Sequence, residues 1–303
     1  MSKEQQLGLD ANLRQGGLDT GGDVPALRAA FDVLMSQIPV APDIQQSAIA
    51  LGGVGGIQVV AGEVSTDNVI LYFHGGVYVI GSAAASVPLV GDLARRTAMR
   101  IDTMDYRLGP EYPYPAAVQD AVAAYQGLLT QGVDPSRIAV AGESAGGGLA
   151  VAALLALRDA GAPLPACSFV MSPYVDLTLS GDSMEEKAEL DPLLKPDALR
   201  TRVPDYVADG DAADPLVSPL FADLSGLPPL LIQVGSHEVL LSDAVRLAAR
   251  AASADVPVIL DVTPGVPHVF QAYAAMLDEG ADALERATSF LTSHLSDGAA
   301  ITT

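Results

Sequence analysis

Three side chains in this sequence have the types and order needed to cleave an acyl bond. Ser144 sits in Gly142-Glu143-Ser144-Ala145-Gly146, between an apolar run, Ile138–Ala141, and a run of Ala, Leu and Val from Leu149 to Leu157. The first run predicts a strand covered on both faces and the second a buried helix. A serine at such a strand-to-helix turn is held with its hydroxyl exposed, and small neighbours let the backbone turn tightly and a substrate carbonyl approach. The helix aims its N-terminal amides at the point where an oxyanion would form. A Gly-rich turn that binds phosphate is the competing interpretation of the same pattern.

A serine hydroxyl is a poor nucleophile until a base takes its proton. The chain has four histidines. His294 lies near a polar tail and is expected at the surface. His74 precedes a glycine pair, where its ring would brace a loop. His237 stands beside Glu238. His268 follows the last predicted strand in a Pro-Gly-Val-Pro-His loop and best suits a base presented across the site. Glu238 also follows a strand and ranks first as the group that orients the base. Asp243, five residues on, is the rival, with a helix N-cap as its ordinary role. Nucleophile, acid and base then occur in the chain order of the α/β-hydrolases.

The elements that must position these groups alternate between strands and helices. A helix is expected over Val24–Gln37, capped by Asp23 with Pro25 in its first turn. Strands are expected at Gln46–Leu51 and Ile57–Ala61, joined by a Gly-rich loop, then at Val69–Phe73, Arg100–Asp105, Ile138–Ala141, Ala166–Met171, Pro229–Val234 and Val258–Val262. Helices are expected at Ser86–Met99, Ala116–Thr130, Asp243–Ala252 and Ala281–Leu295. The glycine cluster at 52–56 is no dinucleotide loop, because a strand rather than a helix follows it. This alternation predicts an α/β fold on a mostly parallel sheet. Ligand sites in such sheets gather at the carboxyl ends of strands, where His74, Ser144, Glu238 and His268 all fall. Met1–Gly22 is polar and expected to be loosely ordered at its start. The Asp- and Pro-rich stretch from Tyr174 to about Ser225, too long for an ordinary loop, reads as an inserted lid with short helices near Lys195–Tyr206.

Composition narrows the partners. Sixteen basic residues stand against 37 acidic ones, a net charge of −21, which disfavours nucleic acid and anionic membranes. Cys167, the one cysteine, lies in an apolar run and is expected to be a buried thiol. The polar start lacks the apolar core of a signal peptide, and no window suits a membrane span, so a cytoplasmic protein is expected.

The chain resembles the hormone-sensitive-lipase family of bacterial α/β-hydrolase esterases, often called family IV. The resemblance rests on HGGVY at His74–Tyr78, DYRLGPEYPYPAA at Asp105–Ala117, GESAGGG at Gly142–Gly148, SPYVDLT at Ser172–Thr178, DPLVSPL at Asp214–Leu220, GSHEVLLSD at Gly235–Asp243 and PHVF at Pro267–Phe270. It implies a mostly parallel eight-stranded sheet flanked by helices. An N-terminal segment (1–45) and an insertion (174–225) would form a cap over a core made of 46–173 and 226–303. It implies hydrolysis of short- to medium-chain carboxylic esters without metal or cofactor. The roles of nucleophile and base carry over to Ser144 and His268, and those of oxyanion donors to the amides of Gly75, Gly76 and Ala145. A homodimer through the outer edge of the sheet is one assembly it implies.

Two departures from the family pattern involve three positions. Val77 replaces the third glycine of HGGG, and with Tyr78 is a candidate to line the acyl pocket. Glu238 and Ser242 replace a pair of aspartates, leaving the role of Ser242 open. Asp105, Arg107 and Glu111 are expected to form buried contacts bracing their loop, and Glu143 to point away from the nucleophile into loop contacts. A lactone hydrolase would use the same three residues. A binding protein on a retired hydrolase fold, like the plant gibberellin receptors that the family resembles, is the reading from another class, and His268 argues against it.

Overall fold

In a computed structural model of the chain, residues 3–18, 20–64 and 67–295 are described. Eight strands form a single sheet: β1 (Ile44–Leu51), β2 (Val54–Ala61), β3 (Val69–Phe73), β4 (Arg100–Met104), β5 (Ile138–Glu143), β6 (Cys167–Met171), β7 (Leu230–Gly235) and β8 (Val258–Thr263). Their order is β1-β2-β4-β3-β5-β6-β7-β8, with β1 and β2 antiparallel to their neighbours and the rest parallel.

The helices sort by the alternating faces of the central strands. Ile70 and Tyr72 of β3, Ala139 and Ala141 of β5 and Phe169 of β6 point to one face, under α3 (Ala83–Thr97) and α9 (Asp278–His294). Leu71 and Phe73, Val140 and Val170 point to the other, under α4 (Ala116–Thr130), α5 (Ala145–Asp159) and α8 (Leu241–Ser253). Side chains of a strand alternate between faces, so a strand covered twice is mostly apolar, and Asp102 of β4 and Gln233 of β7, polar exceptions, are hydrogen-bonded. All five residues of β3 are buried accordingly.

Four further α-helices are found among the described residues, besides three short 3-10 turns. The N-terminal ones are α1 (Lys3–Gly16) and α2 (Val24–Ser36), and the stretch after β6 holds α6 (Ser183–Glu186) and α7 (Pro196–Val207). The Asp23 carboxylate caps α2 at the Ala26 amide, with Pro25 in the first turn, as its sequence predicts. The expected loose start is corrected: Lys3–Gly16 is helical. Its one buried residue, Leu9, packs on Val266, Phe270 and Leu277. The Gly-rich loop is also corrected, because only Gly52 and Gly53 form the turn of the β1–β2 hairpin. Gly56 belongs to β2, where a Cβ would stand 2.3 Å from the Thr103 carbonyl oxygen of β4.

No helix among the described residues is long and apolar enough to cross a membrane. Cys167 is buried and free. The outer ends of the first and last expected segments, residues 1–2 and 296–303, lie outside the described residues.

Candidate active site

Ser144 occupies the turn from β5 into α5 with φ 55° and ψ −121°. For a residue with a side chain this is a strained conformation, costing of order 1–3 kcal/mol. The surroundings enforce it. The Ser144 amide donates to the Met171 carbonyl at 2.9 Å, and its carbonyl accepts from the amides of Gly148 and Tyr174. The flanking glycines are sterically required: a Cβ on Gly142 would lie 2.4 Å from the Gly146 carbonyl oxygen, and one on Gly146 2.0 Å from that of Phe73. The start of α5 is thus pressed against the ends of β3 and β5, and the serine is carried on that junction.

His268 and Glu238 are brought together from the loops after β8 and β7. The ring Nδ1–H donates to Glu238 Oε2 at 2.8 Å, with the carboxylate fully buried. Glu238 Oε1 accepts from the Ser172 hydroxyl at 2.8 Å and from the Gly235 amide. The same hydroxyl accepts the Val269 amide at 3.0 Å, so Ser172 ties the acid to the residue following the base. Burial alone would lower the His268 pKa. The hydrogen bond and charge of Glu238, with Asp191 and Glu143 adding to them, carry it above its ordinary value instead. A ring so placed has its tautomer fixed, leaving Nε2 as the proton acceptor.

Asp243 is the rival acid no longer. Its side chain is buried and accepts the amides of Val175 and Asp176, both at 2.9 Å. It is not the N-cap either, since α8 begins at Leu241. Ser242, whose role the sequence leaves open, exchanges hydrogen bonds with Ser183: each backbone amide donates to the other's hydroxyl. Asp191 accepts the Val239 amide at 2.9 Å on one oxygen and the Leu193 and Leu194 amides on the other. The stretch after β6 is therefore bonded directly to the loop that carries the acid.

The oxyanion expectation needs a correction. The Gly75 amide donates to Glu143 Oε1 at 2.7 Å and is engaged within the protein. The amides of Gly76, Val77 and Ala145 have no acceptor among the described residues. Val77 and Tyr78 both have positive φ, 50° and 63°, which turns the backbone of this loop. Val77 is buried, and Tyr78 stacks on Tyr206 of α7 with ring centroids 3.9 Å apart.

The supporting residues fall nearly as their sequence suggests. His74 stacks on Tyr106 at 4.3 Å, its Nδ1–H donates to the Gly75 carbonyl at 2.7 Å, and burial lowers its pKa to about 4. It braces the loop as a neutral ring. His294 ends α9 at the surface, its Nδ1 against the Phe290 carbonyl. Asp105, Arg107 and Glu111 also brace, bonding to the Ala83 amide, Asp120 and Arg28 respectively. They do so at the surface rather than buried, as charged groups stay hydrated when they can. Glu143 makes the loop contact expected of it, with the Gly75 amide as its partner, while two contributors escaped the sequence: Ser172 and Asp191. The one signal for Ser172 is its place at the end of β6, beside the strand ends that carry the other groups.

Comparison with known proteins agrees with this geometry. A family model described as the alpha/beta hydrolase fold matches residues 70–272. An esterase of Acinetobacter venetianus is 40% identical over 269 residues, covering 88% of each chain. An acetyl-hydrolase of Streptomyces hygroscopicus is 46% identical over 229 residues, 76% of this chain and 77% of that protein. The crystal structure of an esterase from the bacterial hormone-sensitive lipase family superposes with a TM-score of 0.93 at 39% identity, over 98% of this chain and 100% of that one.

Proposed function

Because the chain belongs to the α/β-hydrolase family, in its hormone-sensitive-lipase branch, we propose that it is a serine carboxylesterase acting through an acyl-enzyme on Ser144. The observation that carries this reading is the strained serine at the β5–α5 turn. Ser144 Oγ attacks the ester carbonyl carbon while His268 Nε2 takes the hydroxyl proton. The amides of Gly76, Val77 and Ala145 receive the oxyanion, and each such donor typically lowers the barrier by about 2.7–4 kcal/mol. Collapse of the tetrahedral species breaks the bond to the alcohol oxygen, which leaves with the proton from His268. Water then attacks the acyl carbon with the same base, restoring Ser144. Glu238 holds the imidazole and stabilises its cationic form without taking the proton.

The substrate in this reading is a small ester of a short- to medium-chain acid. The N-terminal segment and the insertion close over the site as a cap. In support, Tyr206 of α7 stacks on Tyr78 of the oxyanion loop, and the Tyr206 carbonyl accepts the Tyr114 amide at 2.7 Å. Arg14 of α1 bonds the carbonyls of Glu189 and Leu190, joining the two parts of the cap.

The test is hydrolysis of p-nitrophenyl esters from acetate to laurate by wild type and Ser144→Ala. Turnover that peaks at short chains and vanishes in the variant is expected. A folded wild type that cleaves none of the series overturns the assignment.

A further inference from the structure

Glu143 is a carboxylate immediately before the nucleophile that the acyl-transfer steps do not use. It ends β5, and its side chain reaches sideways to the loop after the adjacent strand β3, taking the Gly75 amide at 2.7 Å. The fit there is close. A Cβ on Gly75 would stand 3.1 Å from Ser144 Cβ, 3.2 Å from the Glu143 carbonyl oxygen and 3.4 Å from Glu143 Cγ. Gly75 therefore lies flat on the elbow, and the carboxylate holds it there. The amides that remain free for an oxyanion, Gly76 and Val77, follow directly in the chain.

The groups facing this carboxylate come from three elements. Tyr72 of β3 faces it with a hydroxyl that acts on its pKa but stands outside normal hydrogen-bond geometry. Tyr106, after β4, faces it with a hydroxyl already donated to the His74 carbonyl at 2.8 Å. His268, after β8, faces it as the one partner able to become a cation. The second oxygen, Oε2, is buried without a hydrogen-bond partner among the described residues.

We propose that Glu143 is a positioning residue for ester hydrolysis, its carboxylate pinning Gly75 to the nucleophile elbow and so setting the direction of the Gly76 and Val77 amides. The proposal rests on the serine-esterase reading. A charge-assisted bond from a backbone amide is about twice as strong as a neutral one, so the pin works best when Glu143 is ionised. Burial raises its carboxyl to about 7, with Tyr72, the Gly75 amide and His268 pulling downward. Ionised Glu143 and neutral His268 together then give the fastest form, and both are lost as pH falls. The acid limb of kcat thus reflects two groups rather than one. Because the Glu143 charge raises the His268 pKa, removing that charge moves the remaining limb to lower pH.

The test compares pH profiles of wild type, Glu143→Gln, Glu143→Ala and Ser144→Ala on one p-nitrophenyl ester. Glu143→Gln keeps an acceptor for the Gly75 amide. It is expected to retain kcat within about tenfold, with an acid limb shifted to lower pH and sloping as a single group. Glu143→Ala is expected to lose about 10²-fold in kcat, the scale of one oxyanion donor, with KM within a few-fold. An acid limb unmoved in Glu143→Gln, or a kcat within twofold in Glu143→Ala, overturns the role of Glu143 while leaving the esterase reading standing. Turnover that survives in Ser144→Ala overturns both.

Discussion

Replacing Glu238 by glutamine separates orientation of the base from the packing of its support. The two oxygens of Glu238 have different partners: Oε1 accepts two donors, the Ser172 hydroxyl and the Gly235 amide, while Oε2 accepts His268 Nδ1–H. In Glu238→Gln the amide oxygen must occupy the Oε1 position, since an NH2 there would face two donors. The NH2 is then directed at His268 Nδ1, where N–H would meet N–H. The imidazole escapes by moving its proton to Nε2, which leaves no lone pair there for the Ser144 proton. A comparable substitution in a serine-protease triad lowers kcat about 10⁴-fold through the wrong tautomer. The same factor here corresponds to about 5.4 kcal/mol of barrier at 1.36 kcal/mol per decade. Glutamine is nearly isosteric, so only about 1 kcal/mol of stability should be lost as charge-assisted bonds become neutral. The measurement is kcat for p-nitrophenyl butyrate with thermal melting in parallel; a kcat within tenfold of wild type in a folded variant refutes the tautomer argument.

Other substitutions probe strain and support. Ser144→Gly and Ser144→Ala should both be inactive, but only glycine releases the φ 55° penalty. Strain relief of about 1–3 kcal/mol, less about 0.4–1 kcal/mol for the freer unfolded chain, should place the glycine variant a few degrees above the alanine one in melting temperature. Equal melting would show that no strain is stored. Ser172→Ala leaves the half-buried Val269 amide unpaired and the buried Glu238 with one donor fewer, costing about 1–3 kcal/mol of stability and lowering kcat. Denaturant midpoints and kcat check both parts. Burial lifts the Asp243 carboxyl to about 8, above the ordinary value near 3.9 that it has when unfolded. Its contribution is therefore complete below pH 4 and lost as pH rises towards 8. Asp243→Asn, which keeps a carbonyl for the two amides, should gain stability over wild type from pH 5 to pH 8 and keep activity within a few-fold. A gap that stays constant with pH refutes the shift.

What could be read from the sequence is what steric necessity writes into residue types. Gly142 and Gly146 admit no side chain, and the doubly covered strands are mostly apolar, so the elbow and central sheet were legible. Glu238 and His268 were placed by their positions after strands. The Gly75 amide was misassigned because its acceptor is a rotamer of Glu143 reaching across from a neighbouring strand, and nothing in the local chain encodes that reach. The polar helix α1 buries only Leu9, so it carries no apolar stripe to announce itself. Gly56 of β2 looks like part of a loop because its purpose, the close approach of β4, lies more than 40 residues away in the chain. Ser183 and Ser242 have no local signature, since their partners, each other and for Ser183 also the Val239 carbonyl, lie more than 50 residues away.

The bonding between the insertion and the acid loop decides where exchangeable modules begin and end. Asp191, Ser183 and the two amides held by Asp243 fasten residues 175–194 to residues 238–243. A chimera that swaps only 174–225 with a relative leaves Glu238 its own partners, Ser172, Gly235 and His268, but replaces the Ser183 hydroxyl and Asp191 carboxylate that fasten the neighbouring Val239. A graft that runs from 172 through 243 carries Ser172, Gly235 and these fastenings together with the acid, and β7 supplies a buried strand to register the splice. At the opposite rim, α1 is held by one buried leucine and a few side-chain bonds. Substitutions in residues 3–16 are therefore expected to disturb Ser144, Glu238 and His268 less than substitutions in residues 175–191.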